Sequence, residues 1–152
     1  MKSVYKDFLE VQYHQGQDLV ISRLTREINH EEYQDGFLYV IDFIQEKNVK
    51  FWIINPAVLH IPDYKNLKWT AEEFGLRIAQ SSLQQVAVIN SENAFMEFAI
   101  VSVRKKLYQI FGKKTHIEHA PTVEAALNLF FPASKLNLFV SDNGSQQTAA
   151  AE

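Results

Sequence analysis

The side chains best suited to metal chemistry are the five histidines, and their spacing does not group them. His116 and His119 lie three positions apart, but an odd separation on a strand directs side chains to opposite faces. His60 and Asp63 lie close together in a segment that we read as a loop. A structural zinc site needs four ligands, and neither pair has a third or fourth ligand nearby. Because the chain also lacks cysteine, we expect no metal site and no cofactor.

Nucleophilic and acid–base catalysis have equally little support. Ser91 follows one predicted element and opens the next, but it stands in no G-x-S-x-G motif, and helix capping accounts for its position. The carboxylate pairs Glu31-Glu32 and Glu72-Glu73 fall in first helical turns, where negative charge offsets the helix dipole. The five glycines form no phosphate-binding cluster. We therefore expect a protein that is not an enzyme.

The amino-acid composition limits the kinds of partner that the chain is expected to bind. The chain has 152 residues, of which 15 are Lys or Arg and 18 are Asp or Glu, and a net charge of −3 argues against nucleic acid as a partner. The basic run 104–106 lies toward the end of a predicted helix, where cations are favoured, and is interpreted as a solvated face. No stretch approaches the roughly 20 apolar residues of a membrane span. With no cysteine and no signal-peptide pattern at its start, the chain is predicted to be cytoplasmic.

Five strands are predicted from alternating or continuous runs of apolar residues. They cover residues 8–14, 19–24, 49–55, 86–89 and 115–119. Residues 15–18 should turn the first strand into the second as an antiparallel hairpin, with Gly16 accepting a positive φ.

Four helices are predicted from capping residues that precede apolar residues at helical spacing. Their caps are Asn29, Thr70, Ser91 and Thr122. Glu32 and Glu73 complete capping boxes with Asn29 and Thr70. The third helix should end at Gly112, a residue that accepts the left-handed conformation. Its apolar stripe is expected to contain Phe95, Ala99, Val103, Leu107 and Ile110.

Alternation of strands and helices predicts an α/β fold, in which a β-hairpin is followed by βα repeats. The sheet should be mixed, mostly parallel and covered by about four helices. We expect residues 1–131 to form a single domain and residues 132–152 to form a C-terminal tail. Residues 135–140 read as a further strand, which could pair within the chain or with a second chain as a homodimer.

A resemblance to a known family rests on several of these segments. They are 19–24 (LVISRL), 31–33 (EEY), 51–55 (FWIIN), Trp69, 86–89 (VAVI) and 123–127 (VEAAL). With the element order, they resemble the STAS-like, or SpoIIAA-like, family of small bacterial α/β domains. The resemblance implies binding and regulation rather than catalysis. The family's anti-sigma-factor antagonists carry a phosphorylatable serine after the central strand, whereas residues 55–58 here read NPAV, so that switch cannot be carried over.

A candidate binding surface lies where the central strands end. Residues 56–66 form an unusually apolar connection, and the carboxyl ends of parallel strands are where ligands collect. The segment could be a lid over a pocket, a docking patch or a plug for the core. The candidate binding residues are Asn55, Val58, Leu59, His60, Ile61, Tyr64, Trp69 and Asn90.

Two functions are carried forward. The first is a non-enzymatic regulatory or protein-interaction domain of STAS-like type, which binds an unknown protein partner through the candidate surface. The alternative is a domain that binds a small apolar ligand or lipid in a pocket at the carboxyl ends of the central strands. That pocket would be lined by Trp52 or Trp69.

Overall fold

A computed structural model describes residues 1–56, 64–90 and 94–132 of the chain. Within this part six strands form one sheet in sequential order, β1 to β6. They are β1 (Lys2–Tyr5), β2 (Leu9–His14), β3 (Leu19–Leu24), β4 (Phe51–Asn55), β5 (Gln85–Ile89) and β6 (His116–Ala120). The pairs β1–β2 and β2–β3 are antiparallel, and the next three pairs are parallel. The predicted α/β class, with a hairpin leading into a mostly parallel sheet, is confirmed.

The N-terminal edge differs from the prediction in two details. β1 was not expected, because its four residues are polar or exposed and bury no continuous apolar face. In the β2–β3 connection the left-handed residue is Asp18 (φ 52°) rather than Gly16, because a 3-10 turn occupies Gln15–Gln17 and the chain reverses only after it. Aspartate tolerates this conformation better than most non-glycine residues.

The helices begin and end largely where their capping residues predict. α1 (His30–Lys47) has both hydrogen bonds of the Asn29–Glu32 capping box, and α5 (Val123–Phe130) is capped by the Thr122 side chain. α4 (Ala94–Phe111) ends at Gly112, whose φ is 83°. The predicted cap Ser91 lies outside the described residues, as does the predicted strand 135–140.

The second helix begins earlier than predicted. α2 (Tyr64–Trp69), a π-helical segment (Thr70–Phe74) and α3 (Gly75–Ala79) follow one another without a break. We call this continuous helix the α2–α3 helix. Thr70 is therefore inside the helix and not at its cap. Its hydroxyl donates to the backbone carbonyl of Asn66 one turn earlier, at 2.7 Å, so the capping pattern at Thr70 and Glu73 was misleading.

An apolar cluster lies on each face of the sheet, and the two clusters differ in size. α1, the α2–α3 helix and α4 pack on one face, where the larger core forms around residues such as Phe8, Val20, Ile44 and Trp52. α5 packs on the other face over β3 to β6, with Ala126 and Phe130 inserted between Ile53 and its neighbours. Three helices therefore share the face on which Ile54 and Val88 lie.

The apolar stripe predicted for α4 is wrong at both ends. Phe95 is 73% exposed and Ile110 is 48% exposed, whereas Met96, Ala99 and Leu107 are buried. The buried set has a slightly different helical phase, which starts at Met96 and follows the packing against the α2–α3 helix. Phe98, at 71% exposure, lies on the same outer side as Phe95.

Candidate functional site

The main candidate site is an apolar cavity of about 100 Å³ within the three-helix layer. Its floor is formed by Ile54 of β4, Val86 and Val88 of β5 and Ile117 of β6, and its walls are α1, the α2–α3 helix and α4. Residues that line it include Ile54, Pro56, Leu67, Ile78, Val86, Val88, Met96, Ala99, Ile100, Val103 and Leu107. A space with such a lining favours an apolar occupant over water, because water needs two to four polar partners.

Aromatic rings form the side of the cavity nearest α1. Tyr33, Phe37 and Phe74 line it, with ring centroids 4.8 Å apart for the first pair and 5.1 Å for Phe37 and Phe74. Behind them, Trp69 stacks on Phe74 at 5.4 Å, and Trp52 meets Phe37 edge-on at 6.0 Å. Trp52 or Trp69 was expected to line such a pocket; both pack behind the rings that line the main cavity, and Trp52 lines a smaller neighbouring cavity.

The π-helical segment shapes the wall that the α2–α3 helix forms. Thr70 and Phe74, at its two ends, both line the cavity. A π segment adds a residue to a helical turn and is frequent at functional sites. Directly after it, Gly75 allows α4 to approach closely, because a Cβ at this position would collide with the Leu107 side chain. The glycine therefore lets the α2–α3 helix and α4 lie close together on this side of the cavity.

Two of the three polar residues of the lining are already hydrogen bonded to protein. The Tyr33 hydroxyl lies 2.8 Å from Thr70 Oγ1, and the Thr70 hydroxyl donates to Asn66 O at 2.7 Å. Since the single Thr70 proton is used by Asn66, Tyr33 must be the donor to Thr70. This pair offers the cavity no spare hydroxyl proton.

Arg104 is the third polar residue of the lining, and the described lining contains no other charged side chain. It is half-buried, and Nη1 donates to the carbonyl oxygen of Ile117 at 3.4 Å, a long contact. Arg104 forms no ion pair among the described residues, whereas its neighbour in sequence Lys106 pairs with Glu72 at 3.3 Å. The basic run 104–106 is thus divided: Arg104 lines the cavity, and Lys105 and Lys106 are exposed.

Three of the predicted binding residues can be located in full, and they do not come together. Asn55 ends β4 on the α5 side of the sheet and is half-buried beside a smaller cavity of about 30 Å³. Asn90 is exposed, and its backbone N–H donates to Ala120 O at 2.8 Å. Trp69 supports Phe74 as described above.

The remaining predicted binding residues are not described at the level of their side chains. Val58, Leu59, His60 and Ile61 lie outside the described residues, and Tyr64 opens α2 with an undescribed side chain. The described end of this connection is Pro56, which lines both the main cavity and the smaller one.

The described histidines are distributed as the strand geometry predicts. His116 is exposed on the α5 side of β6, while His119 faces α4, where Nε2 lies 3.9 Å from Glu97 Oε1. Among the described residues no three His, Asp or Glu side chains lie close enough together to hold a metal ion.

The shifted ionisation equilibria among the described groups belong to the N-terminal edge of the sheet and to the start of α1. Hydrogen bonds from Lys2 and Arg23 lower the pKa of Glu10, and a bond from Lys6 lowers the pKa of Asp35. Arg26 likewise lowers the pKa of both Asp7 and Glu32, to which its guanidinium donates at 2.6 and 2.8 Å. These carboxylates are structural ion-pair partners rather than candidates for acid–base chemistry.

Comparison with protein-family models, with curated proteins and with solved structures found no match. None of the helices in the described ranges has the length and apolar character that a membrane crossing requires.

The sequence analysis missed the cavity residues on α4. Met96, Ile100, Arg104 and Leu107 recur at spacings of four, four and three residues, so they share one side of a helix. Arg104 falls on this side of the helix, and Lys105 and Lys106 do not. The spacing could therefore have identified Arg104 as a cationic side chain on an apolar face. The existence of the cavity has no comparable signal, because it depends on the distance between helices.

Proposed function

We propose that this protein binds a small apolar ligand in the cavity between α1, the α2–α3 helix, α4 and the sheet. The observation that carries the proposal is an unfilled space of about 100 Å³ whose lining is almost entirely apolar and aromatic. Empty apolar cavities of about 150 Å³ bind benzene or xenon, so a space of this order accommodates a single ring or a short branched chain.

The position of the cavity supports the same function. Ile54, Pro56 and Val88 belong to the carboxyl ends of β4 and β5, the end of an open parallel sheet at which ligands collect. The α2–α3 helix contributes an irregular π segment there instead of a regular helix that could pack closely. Binding would require no catalytic group.

Benzene is a suitable probe, and the Ala99→Leu variant is the test of location. Ala99 is 5% exposed and lines the cavity, so a leucine there would fill much of the space. In a ¹H–¹⁵N correlation titration, wild type should show saturable shifts for amides of α4, the α2–α3 helix, β4 and β5. Ala99→Leu should abolish those shifts.

Ala94→Leu provides the matched control. It makes the same change on the same helix at an exposed position outside the lining, and it should bind benzene as wild type does. Absence of saturable shifts in wild type, or equal binding by Ala99→Leu, would refute the proposed function.

Protein interaction is the second candidate function, and the outer side of α4 is the observation that favours it. Phe95 and Phe98 are more than two-thirds exposed, and Val101 on the next turn is 40% exposed. Adjacent exposed aromatic residues are enriched where proteins bind one another. Regulation of STAS-like type would use such a surface for a partner protein in the cytoplasm.

A photo-reactive amino acid at position 98 tests this second candidate in cells. A discrete cross-linked partner should appear with the probe at Phe98 and not with the probe at Gln109, which is exposed on the same helix. Identical cross-links from both positions would argue against a specific surface.

A further inference from the structure

Arg104 is the one charged residue in the described lining of the cavity. The side chain carries five N–H donors and a permanent positive charge. Among the described contacts only Nη1 is used, in the 3.4 Å bond to Ile117 O. That carbonyl also accepts from the Tyr108 hydroxyl at 3.4 Å, so it is shared between two long bonds. Most of the donor capacity of Arg104 is therefore not used by the described protein groups.

The nearest described acidic side chain on α4 does not offset this charge. Glu97 lies seven residues before Arg104, two helical turns away along the axis, and it is next to His119. The other polar residues of the cavity, Tyr33 and Thr70, are bonded to each other and to Asn66. A ligand in the cavity thus meets an almost entirely aromatic and aliphatic surface, and Arg104 is the charged residue of the described lining.

We infer that the ligand is a small amphipathic carboxylate, with its apolar body in the cavity and its carboxylate paired with Arg104. This inference rests on the proposed function. A planar guanidinium pairs with a carboxylate through two parallel hydrogen bonds, which a neutral or cationic ligand cannot form. A benzoate-like ring or a short branched-chain acid has the required size and charge, whereas a long acyl chain exceeds a space of about 100 Å³.

The test compares three probes with the same ring: benzoate, benzene and benzylammonium. Their dissociation constants are measured at neutral pH by titration followed by amide shifts. Because hydrogen bonds to charged groups are strong, wild type should bind benzoate at least roughly tenfold more tightly than benzene. Benzylammonium should bind more weakly than benzene, since its charge faces Arg104.

Arg104→Met removes the charge and keeps an apolar stem against the cavity. It should lose the preference for benzoate and retain benzene binding, whereas Arg104→Lys should retain part of the preference. Lys105→Met, a control that removes a charge from the adjacent exposed residue, should bind all three probes as wild type does. Circular dichroism of each variant shows whether the loss of the Ile117 contact has changed the fold.

The outcomes separate the two proposals. If wild type binds benzene but shows no preference for benzoate, or if Arg104→Met keeps that preference, the inference about the carboxylate is wrong and the proposed function stands. If wild type does not bind benzene, the proposed function fails and the inference fails with it.

Discussion

The two halves of the three-helix layer are packed differently, although they cover the same face of one sheet. Under the part of α1 that follows Phe37, Val40, Ile41 and Ile44 have at most 1% exposure, and a cavity beside this helix measures about 30 Å³. Under the α2–α3 helix and α4, a space of about 100 Å³ is left between residues that are themselves mostly buried. We therefore expect the α1 half to contribute more to stability than the half that contains the larger cavity.

The polar interactions are divided in the same way. The α1 half is bound to the N-terminal strands by ion pairs, among them Lys6–Asp35 at 2.7 Å and Arg26–Glu32 at 2.8 Å. Its core also contains a buried hydrogen bond from Trp52 Nε1 to Ser22 Oγ at 2.9 Å. Around the cavity, Tyr33 and Thr70 are hydrogen bonded to each other, whereas Arg104 retains N–H donors that the described protein groups do not use.

Matched isoleucine truncations should give the largest difference between the halves. Ile44 is fully buried under α1, whereas Ile78 is 7% exposed and lines the cavity. Both changes to alanine fall in the range of about 2–5 kcal/mol, with Ile44→Ala near the upper limit and Ile78→Ala near the lower. The reason is that a side chain beside a void already lacks contacts on one side. Urea unfolding of both variants checks this order, and equal losses would contradict the difference in packing.

Enlarging a buried alanine should destabilise the two layers to different extents. Ala126 is fully buried between α5 and the sheet, so Ala126→Leu should destabilise the fold by about 1–3 kcal/mol through overpacking. Ala99→Leu should cost less, because its extra carbons enter existing space. Thermal unfolding of the two variants compares them, and a larger loss for Ala99→Leu would mean that the space is not available to a side chain.

Acid should weaken the α1 half first. The carboxylates of Asp7, Glu10, Glu32 and Asp35 all have a lowered pKa in the folded protein, because cations bind their ionised forms. Their stabilisation is present above the ordinary pKa values of 3.8 and 4.5, and it is lost as the pH falls through the lower folded values. Hydrogen exchange across this range should show amides of β1 and β2 losing protection before those of α4. Glu10→Gln should reduce the pH dependence, and uniform loss of protection would contradict the expected order.

Local sequence signals predict the fold well at positions where a few adjacent residues determine the backbone conformation. Asn29 with Glu32 predicts the start of α1, and Gly112 predicts the end of α4, since capping and left-handed geometry are properties of a few adjacent residues. Thr70 with Glu73 has the same pattern as a capping box, yet it lies inside a helix, because packing against α1 and α4 extends that helix backward. Local pattern cannot tell these two cases apart.

The candidate site was less predictable for a related reason. Its lining comes from six separate strands and helices, and the space depends on how far apart they lie. A side chain at position 75 would collide with Leu107, so Gly75 allows the two helices to lie close together. Helical periodicity in the sequence gives no sign of this approach. Ile54, Pro56 and Val88 lie at the carboxyl ends of β4 and β5, whereas Val86 and Ile117 line the cavity from near the starts of β5 and β6.

A crystal structure determined under xenon pressure tests the central claim most directly. Xenon enters apolar spaces that water avoids, and it identifies them by its electron density. We predict a well-occupied xenon site between Phe74, Val88 and Ala99, and none under α1. A structure with no xenon between the α2–α3 helix and α4, or with side chains closed over that space, would contradict the account.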